Sequence, residues 1–159
     1  MTGMNYKEFA KDAFDMVNDA FYGGELEELD IYCDEYGRDA DPGAFLAPVK
    51  DRDPQYEPAI IVNVSNIAKM VEDDIFGGVC EGILSVMAHE AVHYWCWLND
   101  VEGVDEDGRH NELFRTAALA HGLVCEDRGM GWGVTGFSLT GARAIQARLD
   151  GEVPGTPGI

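Results

Sequence analysis

Apolar residues near the start of the chain recur at helical spacing. Phe9, Ala13, Val17, Ala20 and Phe21 fall on one stripe. Asn5 offers a capping side chain ahead of them, and the glycines after Tyr22 a stop, so the pattern predicts a helix over 5–22. The period then shortens. Residues 29–33, 44–49 and 59–64 read as strands, the last of them rich in β-branched side chains. Acidic and turn-forming stretches at 34–43 and 51–54 separate them. Short strands with polar turns predict a small, mostly antiparallel three-stranded sheet packed against helices, an α+β architecture.

Ser65 or Asn66 then caps a short helix ending near Val71, and Gly77-Gly78 precede a long helix over 79–98. This helix carries Ile83, Leu84, Val86, Met87, Ala88, Ala91, Val92, Trp95, Trp97 and Leu98. A helix apolar on all sides is a buried one. An acidic connector covers 99–109, and a further helix covers 111–121 with Gly122 at its C′ position. Residues 129–141 hold five glycines and read as a loop over the site, followed by a short amphipathic helix ending at Leu149. Residues 1–150 thus form one domain, and 151–159 have the composition of a flexible tail.

The buried helix contains His89-Glu90-Ala91-Val92-His93, an H-E-x-x-H motif. Residues four apart on a helix share a face, so His89 and His93 can aim two imidazoles at one ion. Imidazole suits Zn²⁺, and catalytic zinc sites use three protein ligands and leave one position for water. Glu90 lies about 100° round the helix, beside the ion, where it can take a proton from that water. Three fixed positions do recur by chance in unrelated helices. Against chance stand the cost of burying these polar groups without a partner and the gathering of three of the four histidines between 89 and 110. His110 can be carried back across the long helix as a third ligand. Glu112, two residues further, is the alternative. Cys96 and Asn99 stand where a glycine and a third histidine would be needed for the H-E-x-x-H-x-x-G-x-x-H class, which is therefore excluded.

Other polar groups read more plainly. Cysteines 33, 80, 96 and 125 form no C-x-x-C pair, so no zinc ribbon or disulfide is expected, and Cys96 reads as a core thiol. The Asp105–Gly108 stretch lacks the closing glutamate of an EF-hand. His121, at a helix end, reads as a cap or dipole partner. Tyr94, Trp95 and Trp97 read as core packing. Tyr94, Arg115 and His121 are, by type alone, candidates for an oxyanion donor.

Charge narrows the partners. Eleven basic residues against thirty acidic ones give a net charge of −19. That repels phosphates and argues against direct nucleic-acid binding, and it favours a basic substrate or adaptor. No basic-then-apolar leader opens the chain, and the most apolar window is short and carries His, Glu and His, so a soluble, cytoplasmic protein with no membrane contact is expected.

The order of motifs resembles the SprT-like zinc metallopeptidase domain, the family that includes the Spartan proteases. The family's first helix ends in a Phe-Phe-Gly-Gly-x-Leu type run, matched by Phe21-Tyr22-Gly23-Gly24-Glu25-Leu26. Its H-E-x-x-H follows a set of strands, and an H-G-x-x-F pattern opens the next helix, matched by His110-Asn111-Glu112-Leu113-Phe114. The resemblance covers about residues 6–122. It implies a zincin-like fold, zinc on His89, His93 and His110, and Glu90 as the catalytic glutamate. Asn111 replaces the family's usual glycine, and the family's DNA targeting does not carry over to so acidic a chain. The expected activity is zinc-dependent hydrolysis of peptide bonds in a protein or peptide substrate, a metalloendopeptidase of the H-E-x-x-H class. The alternative is a non-catalytic, zinc-stabilised acidic interaction module.

Overall fold

The computed structural model describes residues 5–34, 41–47, 57–127 and 131–150. The chain runs α1 (Tyr6–Tyr22), β1 (Asp30–Asp34), β2 (Gly43–Leu46), β3 (Ala59–Asn63), α2 (Val64–Glu72), α3 (Val79–Leu98), α4 (Glu112–Ala120), β4 (Leu123–Asp127), β5 (Trp132–Phe137) and α5 (Leu139–Leu149). The architecture is α+β, as the pattern predicts. The turn over 51–54 and the tail 151–159 lie outside the described residues, as does most of the acidic stretch 34–43.

Helix α3 lies at the centre of the fold. Its buried positions run consecutively through Gly82-Ile83-Leu84, Val86-Met87-Ala88 and Glu90-Ala91-Val92, which a one-sided helix cannot do. Helices α1, α2 and α4 and strands β2 and β3 supply the surrounding walls. Helix α1 starts where Asn5 accepts a hydrogen bond from the Glu8 backbone N–H and ends at Gly23. Beyond that end the Asn18 side chain clamps Leu26 by donating to its carbonyl at 2.9 Å and accepting from its N–H at 3.0 Å. The Tyr22–Leu26 run is therefore a capped turn that buries Leu26 against the core.

Strand β3 lies between the other two, in the order β1-β3-β2. Its Ile60 and Val62 are fully buried, and the apolar β-branched run suits a strand covered on both faces. The sheet is mixed rather than mostly antiparallel: β2 pairs antiparallel to β3, but β1 runs parallel to it, Asp30 opposite Ala59. A strand pattern specifies faces, not direction. The direction follows from the path of the chain, which crosses from β1 past β3 to the far edge before returning through the centre. Asn63, at the end of β3, caps α2 in place of the expected Ser65 or Asn66. Its side chain accepts from the Asn66 N–H, and its backbone N–H donates to the Pro42 carbonyl at 2.8 Å.

The glycine-rich stretch is not simply a loop. β5 pairs antiparallel with β4, with a register shift at Val124/Cys125. Ser138 then caps α5, accepting from the Gly141 N–H. Among the described residues, no helix is long and apolar enough to cross a membrane.

Candidate metal centre

His89 and His93 sit on successive turns of α3, and their Nε2 atoms are 3.2 Å apart. The third imidazole arrives by a folded connector. Asp105 organises it: its side chain accepts from the Asp107 and Arg109 N–H groups, and its own N–H donates to the Arg109 carbonyl. The next residue, His110, bridges to Val104 and places Nε2 3.1 Å from that of His93. All three ligand nitrogens lie within 4.8 Å of one another, close enough to hold a metal ion. Nitrogens at ~2.0–2.1 Å from a tetrahedral zinc stand roughly 3.3 Å apart, so the spacing suits that ion.

Asn111 works as the N-cap of α4. Its Oδ1 accepts from the Phe114 N–H, and its Nδ2 donates to the Glu102 carbonyl at 2.8 Å. That cap sets Phe114 under the imidazoles. The Phe114 ring is fully buried and stacks on His110 with centroids 3.9 Å apart, and lies 4.7 Å from His93.

The tautomer of His110 is decided by its surroundings. Nδ1 lies 2.7 Å from the Trp132 carbonyl, which can only accept. Nδ1 therefore carries the hydrogen, and in the neutral ring Nε2 presents its lone pair to the other two histidines. Burial lowers all three pKa values. His89 is brought down to about 3, with His93 and His110 adding to the effect of burial, and His93 to about 4. His110 is lowered by burial and partly restored by its bond to Trp132. At His89 and His93 the neutral imidazole, the form that binds metal, thus persists well below neutral pH.

Glu90 is one of two buried polar side chains among the described residues, 7% exposed. Its neighbours are the edge strand β2 and the segment before it. The Phe45 N–H donates to its carboxylate, and Asp41 lies near enough to repel it. Asn66 anchors that segment by donating to the Asp41 carbonyl at 3.0 Å. Gly43 permits the approach: a Cβ there would clash with Val86 and stand 3.5 Å from the Glu90 carboxylate. Burial first, then Asp41, pushes the Glu90 pKa up to about 8.

These shifts set opposite pH dependences for the metal-free protein. Glu90 has a folded pKa above its ordinary 4.5, so its contribution to stability is full below pH 4.5 and is lost as pH rises through about 8. His89 and His93 are depressed from 6.5, so theirs is present above pH 6.5 and fades as pH falls toward 4 and 3. Glu90→Gln keeps the neutral shape. It is expected to raise the Tm of the chelator-treated protein at pH 9 by roughly 2–4 °C for each kcal/mol relieved, with little change at pH 4. Thermal melts at the two pH values check this, and equal midpoints at pH 9 would contradict it.

The structure thus brings together His89, His93 and His110. It does not add Glu112, whose side chain is exposed and turned toward Arg115 at 3.5 Å. His121 closes α4, donating from Nδ1 to the Ala117 carbonyl and stacking on Tyr22. Tyr94 is buried and donates to the Glu27 carbonyl at 3.1 Å, which commits its hydroxyl elsewhere. Cys96 is a buried thiol with its pKa pushed up to about 11, and none of the four cysteines is in a disulfide. A groove of about 380 Å³ between α1 and β1, lined by Lys7, Lys11, Asp15 and Tyr32 among others, shares no residue with the histidine group. Three contributors were not legible as site residues: the Trp132 carbonyl, the Phe45 N–H and Asp41. Two are backbone groups, which carry no residue signature, and the third lay in a stretch read as a turn.

No protein-family model matches the chain, and neither a curated protein nor a solved structure matches it.

Proposed function

We propose that the chain is a zinc-dependent metallopeptidase of the SprT-like kind, with a zincin-like arrangement around α3. The observation that carries this reading is the convergence of three imidazoles, two of them on the same helix as a buried glutamate. His89, His93 and His110 would hold the ion. Bound there, zinc would supply Lewis acidity to a scissile carbonyl and acidify a water molecule. Glu90 would serve as the general base beside the ion, accepting a proton from water and returning it to the leaving amine. The Phe45 N–H stabilises the ionised carboxylate, and a dication nearby favours the same form.

The donor set favours catalysis over a structural staple. Structural zinc takes four protein ligands, and among the described residues no carboxylate or thiolate joins the three histidines. The imidazoles are also partly exposed, which leaves a route for solvent. The substrate class is a protein or peptide, with a basic one favoured by the −19 charge.

The test is metal content followed by hydrolysis. The purified chain should carry one zinc per molecule by elemental analysis. It should cleave an unfolded, lysine-rich test protein, lose that activity to a chelator and regain it with zinc. A chain that takes up no zinc overturns the reading at its base. Zinc uptake without chelator-sensitive cleavage returns the choice to the non-catalytic module.

A further inference from the structure

His110 is gripped from two sides, and neither grip comes from another ligand. On one side is Phe114 of α4, stacked on its ring. On the other is Trp132, the first residue of β5, which exchanges two hydrogen bonds with it. The Trp132 N–H donates to the His110 carbonyl at 3.0 Å, and His110 Nδ1 donates to the Trp132 carbonyl at 2.7 Å. Gly131 lets the two backbones lie flush. Its φ is +100°, and a Cβ would stand 2.9 Å from the His110 carbonyl oxygen.

The two jaws are joined by one side chain. Arg115, next to Phe114 on α4, lays its guanidinium over the Trp132 ring, 4.4 Å from the ring centre. Ion pairing does not account for this placement. Among the described residues its carboxylate partner is Glu112, 3.5 Å away and largely exposed, and such pairs contribute little. The Arg115 Nε is buried with no hydrogen-bond partner. A guanidinium over an indole contributes ~0.5–2 kcal/mol, more when desolvated. A two-stranded sheet is marginal alone, so the β4–β5 hairpin depends on such docking contacts.

We propose that Arg115 and Trp132 are positioning residues for His110, and that the β4–β5 hairpin acts as a latch on the metal centre. Arg115 holds the Trp132 ring, the ring holds the start of β5, and the Trp132 carbonyl fixes the orientation and tautomer of the imidazole. Coupling of this kind is reciprocal. Metal binding tightens the hairpin, and a docked hairpin raises metal affinity. The proposal rests on the metal-centre reading and adds a means by which anything that grips or displaces the hairpin would tune metal occupancy.

The experiment measures Zn²⁺ affinity by chelator competition on the wild type, Arg115→Met, Trp132→Leu and Trp132→Phe, each shown to be folded by circular dichroism. Losing an outer partner of a metal ligand typically costs ~10–100-fold in affinity. Arg115→Met and Trp132→Leu should therefore weaken zinc binding about 10-fold or more, with Trp132→Phe recovering most of it. The d–d spectrum of Co²⁺ in the site should change with the first two variants. In the wild type, zinc should slow hydrogen exchange at the Trp132 amide. Wild-type affinity in folded Arg115→Met overturns the latch, even if Tm falls, because a merely structural contact would behave in that way. Should Trp132→Leu not fold, Arg115→Met, a change at a partly exposed side chain, decides alone. A wild type that binds no zinc removes the metal centre itself, and is thereby distinguished from failure of the latch.

Discussion

Glu90→Gln is expected to lower peptide hydrolysis by roughly 10²–10⁴-fold while the chain keeps its zinc. The amide has nearly the same shape as the carboxylate but cannot accept the proton from water. The three imidazoles remain where they are, because α3 and the connector hold them without help from Glu90. The substitution also removes a buried carboxyl from beside Asp41, so the variant should be no less stable than the parent. A drop in rate therefore cannot be blamed on unfolding. Steady-state cleavage rates and elemental analysis of the same preparation make the comparison. Activity within a few-fold of wild type would take Glu90 out of the reaction and leave the histidine cluster as a binding site only.

Replacing His110 with alanine is expected to do more damage, and of a different kind. It removes one of three nitrogens, so zinc affinity should fall beyond the ~10–100-fold typical of an outer partner, and hydrolysis should vanish with it. It also strips the Trp132 carbonyl of its 2.7 Å donor and leaves the Phe114 ring without its stacked partner. That bond is part-buried, and losing it costs ~0.5–1.5 kcal/mol, so the metal-free protein should also melt lower. Glu112→Ala is the companion measurement. The Glu112 side chain is exposed and directed at Arg115, and its loss should leave zinc affinity unchanged. If instead Glu112→Ala loses zinc and His110→Ala keeps it, the ligand assignment is reversed.

These two residues mark where reading the sequence stopped. His89 and His93 could be paired from spacing, because four residues on a helix fix two side chains to one face whatever the rest of the protein does. The same holds for the limits of α1 and α3. Asn5 and Gly23 frame the first, and the second spans Val79–Leu98, as the apolar run and its leading glycines predict. The choice between His110 and Glu112 was not of this type. It depended on how eleven residues between α3 and the third histidine fold, and on Asn111 capping α4 so that His110 stays outside the helix and faces α3.

What the residue pattern determined alone was therefore local: an α+β chain, five helices within a residue or two, three strands, and a buried helix presenting two imidazoles and a carboxylate. What tertiary structure decided was every relation between distant groups. The parallel pairing of β1 with β3 and the pairing of β4 with a glycine-rich β5 arise from chain path and backbone hydrogen bonds, which leave no mark on side-chain periodicity. The Trp132 carbonyl on His110 and the Phe45 N–H on Glu90 belong to the same class. Any residue offers the same peptide groups, so only packing selects which carbonyl fixes the third imidazole and which amide meets the glutamate.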